Sequence, residues 1–109
     1  MGGTVRQATT SVSSDSTISV GTAGSTVLAA NNNRASLSVQ NVGITKVYIR
    51  FNQAVNLGSG GPDYSFILAP ASGDNEGDGG VLSIDNFTGT VYAKTASGSS
   101  TVVATEFIH

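Results

Sequence analysis

Ser25–Phe51, STVLAANNNRASLSVQNVGITKVYIRF, reads as three short strands. Val27-Leu28 opens the first. In the second, Ala35, Leu37 and Val39 alternate with Ser36, Ser38 and Gln40. In the third, Val47, Ile49 and Phe51 alternate with Tyr48 and Arg50. Apolar residues at every second position, bounded by Asn and Gly clusters, mark antiparallel sheet with one face buried. Asn31–Arg34 separates the first two strands and Asn41-Val42-Gly43 the second and third, and both read as turns. Gly43, like Gly89 further along, is expected to supply a positive φ. Asn41 and Asn86 are expected to bond nearby backbone.

Working outward, the same grammar continues. A Gly-rich loop over 56–63 leads to a strand at Tyr64–Leu68, stopped by Ala69-Pro70. A second loop, 72–80, precedes Val81–Ile84. The turn 85–89 precedes Thr90–Thr95, and Ser97-Gly98-Ser99-Ser100 precedes Thr101–Ile108. Apolar positions nowhere recur at helical spacing. The pattern predicts an all-β chain: a single antiparallel β-sandwich, jelly-roll-like, of about seven to eight short strands with an extended N-terminal arm. The Gly/Ser turn predicts a hairpin of Thr90–Lys94 with Thr101–Phe107. Val91, Ala93, Val102 and Ala104 would then face inward, with Tyr92, Val103, Thr105 and Phe107 on the other face. That second face is more apolar than solvent requires, so Tyr92, Val103 and Phe107 are the expected oligomer interface, the alternative being a sandwich strand covered by the arm.

Residues 1–24 differ in composition from residues 25–109, and the break near Gly24 divides an N-terminal arm from the sandwich domain. The arm is rich in Ser, Thr and Gly, with apolar residues only at intervals: Val5, Val12, Ile18 and Val20. Ile18-Ser19-Val20 can pair at a sheet edge. The stretch up to Asp15 buries too little to offset the cost of ordering its backbone. The arm is therefore expected either to be disordered in isolation or to order on a partner or a neighbouring subunit, with Val5 and Val12 then as apolar anchors and Arg6 and Gln7 as directional contacts.

Charged residues make up 11% of the 109-residue chain, against roughly 25% in an average soluble domain. Fifteen Ser and twelve Thr supply the polar surface instead, which suits close, repetitive contact between protein surfaces. The net charge is −2, and the five basic residues, Arg6, Arg34, Lys46, Arg50 and Lys94, form no cluster. Nucleic-acid binding is not expected. The absence of Cys excludes disulfides and thiolate metal sites and leans towards folding in a reducing cytoplasm. No apolar run resembles a signal peptide or a membrane span.

Catalysis finds little support. The single imidazole, His109, is the last residue, where nothing is expected to orient it, and a Ser-His-Asp relay needs an oriented base. Most acids sit in one Gly-rich loop rather than facing each other across a cleft. That loop, DNEGDGGVLSID from Asp74 to Asp85, spaces Asp74, Glu76, Asp78 and Asp85 like the oxygens of an EF-hand calcium site. Glu stands at its third position and Asp at its twelfth, and no helices flank it, so a solvated turn is expected and no cofactor or metal is assigned. There is no Trp. Tyr48 and Tyr92, with Arg50 or Lys94 on the same strand faces, are where a sugar platform would lie.

The Val-Leu-Ala-Ala-Asn opening, Arg34, the Ser-Leu-x-Val-Gln-Asn and Val-Tyr-Ile strands, and the Thr-Gly-x-Val-Tyr-Ala return at residues 88–93 together resemble a β-module of tailed-phage virion proteins. The module recurs in head decoration (cement) proteins and in head-fibre and tail-fibre proteins. The resemblance runs from about Ser25 to Glu106. It implies a virion β-sandwich with no catalytic residues. A single module without a shaft implies a decoration protein on the capsid surface, made in the host cytoplasm, a homotrimer whose partner is the major capsid protein. No nucleic acid, membrane or small-molecule partner is implied. The alternative is a host-recognition or carbohydrate-binding module of a fibre. The loops 56–63 and 72–80 are longer than in the compact module, and the arm lies outside it.

Overall fold

A computed structural model describes residues 12–109. It contains eight strands: β1 (Val12–Val20), β2 (Ser25–Leu28), β3 (Arg34–Asn41), β4 (Val47–Phe51), β5 (Phe66–Leu68), β6 (Val81–Asp85), β7 (Val91–Lys94) and β8 (Ser100–Ile108). They form two four-stranded sheets, ordered β1-β8-β3-β6 and β2-β7-β4-β5. Every pairing is antiparallel. β4 pairs with β5, β3 with β6, β2 with β7 and β1 with β8, so the chain folds back on itself as one long nested hairpin. Rolling that hairpin adds the β3–β8 and β4–β7 contacts and closes the two sheets over each other. This is a jelly roll, and the expected β-sandwich is the architecture found.

Alternation in the strands becomes the core. Leu37 and Val39 from β3, Val47 and Ile49 from β4, Val91 and Ala93 from β7, and Val102 and Ala104 from β8 are all buried. Val20, Val27, Leu68 and Leu82 complete the cluster, and Ile18, Leu28, Phe51, Ile84 and Phe87 pack around it. Valine and alanine dominate because two facing sheets leave only about 10 Å between them. The four residues expected to point inward from β7 and β8 do so.

Three expectations are corrected. First, β7 and β8 are not a hairpin, because they belong to opposite sheets. The turn between them is a corner where the chain changes sheet, capped by the Thr95 hydroxyl donating to the Gly98 carbonyl at 2.7 Å. Second, the break near Gly24 is not a domain boundary. β1 pairs with β8 over all nine of its residues, from Val12 opposite Ile108 to Val20 opposite Ser100. A polar sequence is ordered here because β8 offers a complete backbone ladder and Val20 enters the core fully buried. Gly21–Gly24 is the tight turn that carries the chain from one sheet to the other, closed by Gly24 N–H on the Gly21 carbonyl at 3.2 Å, with Gly24 at φ 86°.

Third, Gly43 and Gly89 do not take positive φ; among the described residues Gly24, Gly60 and Gly98 do, with Asn52, Asn75 and Asn86. Close approach explains them instead, with backbone against Gly43 and side chains against Gly89. A Cβ on Gly43 would collide with the Ser100 Oγ and press on the Thr101 backbone nitrogen, and one on Gly89 would collide with the Asn52 Oδ1.

If β1 belongs to the cooperative unit, Val20→Ala lowers unfolding stability by about 2 kcal/mol through the cavity it leaves. Exposed Thr17→Ala stays within about 0.5 kcal/mol. Urea unfolding followed by circular dichroism checks both, and an unchanged Val20→Ala midpoint would place β1 outside the fold.

Candidate functional site

The two ends of β3 carry the most connected polar side chains. Arg34, read from sequence as part of a turn, is the first residue of β3 and is 1% exposed. Its Nε donates to Glu106 Oε2 at 2.7 Å. Its Nη1 donates to the Phe87 and Gly89 carbonyls at 3.0 and 2.9 Å, and its Nη2 to the Ala29 carbonyl at 2.6 Å. One planar guanidinium thus ties β3 to β8 and to the loops before β3 and β7. A lysine ammonium, with a single nitrogen, cannot reach all four acceptors.

Asn41 ends β3 and is fully buried. Its Nδ2 donates to the carbonyls of Thr45, Leu68 and Ala69, while its Oδ1 accepts from Gly43 N–H at 3.0 Å and Ser100 Oγ at 2.7 Å. It bonds local backbone as expected and also reaches β5 and the start of β8. Among the described residues every buried side-chain nitrogen and oxygen has a hydrogen-bond partner. Both hubs are consumed by structure, so the surfaces available for recognition are the outer faces of the two sheets.

The outer face of the β1-β8-β3-β6 sheet follows from register. Its cross-strand rows are Ser13–Phe107–Ser36–Asp85, Asp15–Thr105–Ser38–Ser83 and Thr17–Val103–Gln40–Val81. Half of these positions carry hydroxyls, and the rows contain no basic residue. The outer face of the β2-β7-β4-β5 sheet is different. Tyr48 sits opposite Lys94, and Arg50 opposite Tyr92, which makes a checkerboard of two rings and two cations. Lys46 Nζ lies 6.0 Å from the Tyr48 ring centroid, so every described basic residue except buried Arg34 lies on this side. Tyr48 is braced edge-on by Tyr64, with centroids 5.2 Å apart.

A third surface is the flank at β5, a three-residue edge strand. Tyr64, Phe66 and Ile67 are 40%, 47% and 42% exposed there. Phe66 leans on Phe51, and Phe51 on Phe87, in edge-to-face pairs. This apolar edge was missed in the sequence, although the run Tyr64-Ser65-Phe66-Ile67 before a proline was its signal.

The predicted site residues are dispersed. Tyr92 is on one outer face and Val103 and Phe107 on the other, so the three do not share the single face expected of them. The opposite sheets of β7 and β8 are the cause. Of the proposed arm contacts, Val12 begins β1, while Val5, Arg6 and Gln7 lie outside the described residues. Asp74, Glu76, Asp78 and Asp85 are not gathered into a metal-binding group; among the described residues no three acids or histidines are. Asp78 instead accepts from Ser72 N–H at 2.9 Å. That backbone hydrogen bond, with the Ser72 hydroxyl second, holds its carboxyl below the usual aspartate range. Asp85 closes β6 opposite Ser36. His109 is tethered, because its backbone N–H donates to the Asn33 carbonyl at 2.9 Å.

Compared with known proteins, the chain matches no family model, no curated protein and no solved structure.

Arg34→Ala leaves Glu106 and three carbonyls without their donor and lowers stability by about 3–5 kcal/mol. Arg34→Lys recovers only part of the loss. Asn41→Asp places a carboxylate against three carbonyls, which raises its folded-state pKa above the unfolded value. The penalty is therefore absent below the unfolded aspartate pKa and grows as pH rises. The variant is closer to wild-type stability near pH 4 than at pH 7. Denaturant midpoints at the two pH values check the sign.

Proposed function

We propose that the protein is a structural, non-enzymatic virion component that decorates an assembled phage head and stabilises it. The observation that carries this reading is the outer face of the β1-β8-β3-β6 sheet, where six of the twelve positions in three rows are Ser or Thr and only two are charged. A broad surface with few charges packs against another protein at low desolvation cost, because each hydroxyl both donates and accepts. The resemblance of residues 25–106 to a virion β-module supports the same assignment. In this reading that face lies on the major capsid protein, and Val5, Arg6 and Gln7 extend the contact. Binding only the assembled shell shifts the assembly equilibrium towards it.

The β5 flank replaces Tyr92, Val103 and Phe107 as the subunit interface of a homotrimer. Phe66 and Ile67 on the edge strand, and Tyr64 just before it, are exposed apolar side chains, and an exposed apolar edge supports a protein contact. Three copies joined there present three capsid-binding faces at once, which raises avidity without any new contact.

Co-sedimentation with assembled heads lacking their decoration tests the capsid reading. Saturable binding that raises the temperature of DNA release is expected; a protein left in the supernatant contradicts it. Deleting residues 2–11, which leaves β1 whole, should weaken that binding. The double change Phe66→Asp and Ile67→Lys should convert the trimer to a monomer of unchanged fold, read by light scattering.

A further inference from the structure

The outer face of β4 and β7 adjoins the β5 flank, where Tyr64 and Ile67 border Tyr48, and beyond that border it carries chemistry that neither capsid contact nor subunit contact uses. Tyr48 and Tyr92 are diagonal neighbours on adjacent strands, each directly opposite a cation, Lys94 and Arg50. Residues in such positions have Cβ atoms roughly 5–8 Å apart, so the four side chains form one continuous patch. Each ring also walls an open groove. One, of about 450 Å³, runs beside Tyr48, Lys46, Thr45 and Ser97. The other, of about 240 Å³, runs beside Tyr92, Ser25, Thr26 and Val55. The two grooves share no lining residue, and each borders one ring of the checkerboard.

Charge complementarity names the ligand's sign. Of Lys46, Arg50 and Lys94, Arg50 alone has an ion-pair partner among the described residues, Asp63, whose carboxylate is 4.0 Å away. Lys46 and Lys94 form no ion pair with any described residue. A chain of net charge −2 has thus placed three of its cations together, next to aromatic rings. The rings name the ligand's shape. The face of a tyrosine carries negative potential and attracts the C–H groups of a pyranose ring. The groove hydroxyls of Thr45, Ser97, Ser25 and Thr26 suit sugar hydroxyls, which need donors and acceptors in equal measure. Sparse cations separated by rings match a polymer with carboxylates on sugars. Single-stranded nucleic acid, with a phosphate at every residue, calls for a continuous basic groove.

We propose that the Tyr48/Arg50/Tyr92/Lys94 face binds acidic polysaccharide, with pyranose rings on the two tyrosines and carboxylates on Arg50, Lys94 and Lys46. The proposal does not rest on the capsid reading: a protein that fails to bind heads can still bind glycan, and the reverse.

Affinity electrophoresis of the full chain through gels containing polygalacturonate tests it, with the neutral glucan dextran and an oligothymidylate in parallel gels. Retardation in polygalacturonate alone is expected. Tyr48→Ala and Tyr92→Ala should each weaken it about fivefold or more, and Lys94→Glu should abolish it. Tyr48→Phe, which keeps the ring, and Thr105→Ala, on the opposite face, should retain it. Matching urea midpoints show that the variants are folded. No retardation, retardation unaffected by the tyrosine and lysine changes, or stronger retardation by oligothymidylate overturns the proposal. Equal retardation by dextran overturns its anionic part. Salt-sensitive self-association abolished by Lys94→Glu would show that a second copy is the occupant instead.

Discussion

The guanidinium of Arg34 is the constraint on which the rest of the architecture depends. A jelly roll must hold the ends of a rolled hairpin together, where sheet hydrogen bonding stops and loops cross. Arg34 does this at one end of β3 with four hydrogen bonds to Glu106, Phe87, Gly89 and Ala29. Burying a cation is costly unless its partners are in place, so the arrangement rejects alternatives in which the loop before β7 or the end of β8 lies elsewhere. Asn41 performs the uncharged counterpart at the other end, drawing β3, β5 and β8 to one amide. Between these hubs the core needs only small apolar side chains. Phe51 and Phe87 pack around that core, while Phe66, Phe107 and the three Tyr are released to edges and outer faces, and recognition follows from where they go.

The fold was legible where burial is one-sided. β3, β4 and the inward residues of β7 and β8 announced themselves by alternation, because a strand with one wet face must alternate. β1 did not, since Ser13-Ser14-Asp15-Ser16-Thr17 carries no apolar signal. Its order comes from the backbone ladder of β8, more than eighty residues away in sequence. The β7–β8 corner was misread for a related reason. Ser97-Gly98-Ser99-Ser100 can close a hairpin or turn a corner equally well. The choice is made by the pairing of β8 with β3 and by the Ser100–Asn41 bond. Long-range pairing overrode local turn chemistry.

The candidate sites were legible in part. Tyr48, Arg50, Tyr92 and Lys94 were recognisable as sharing strand faces, because within one strand the side-chain period is fixed at two. Their assembly into a checkerboard required the β4–β7 register. Arg34 was obscured by the asparagines before it, which favour turns. No local pattern distinguishes an arginine in a turn from one whose side chain folds inward beneath it. The supposed interface of Tyr92, Val103 and Phe107 failed with the hairpin that produced it, and the apolar flank of β5 takes its place in the proposal.

The surface thus divides into a hydroxyl face, an apolar flank and an aromatic-basic face. The central claim is that these serve the capsid, the sibling subunit and a glycan respectively, which fixes how the molecule stands on the particle. A cryo-electron microscopy map of the decorated head tests this most directly. The account predicts the β1-β8-β3-β6 sheet against the shell, β5 edges meeting around a threefold axis, and Tyr48 and Tyr92 facing solvent. Density for the protein confined to the tail, or the β4–β7 face buried on the capsid, would contradict it.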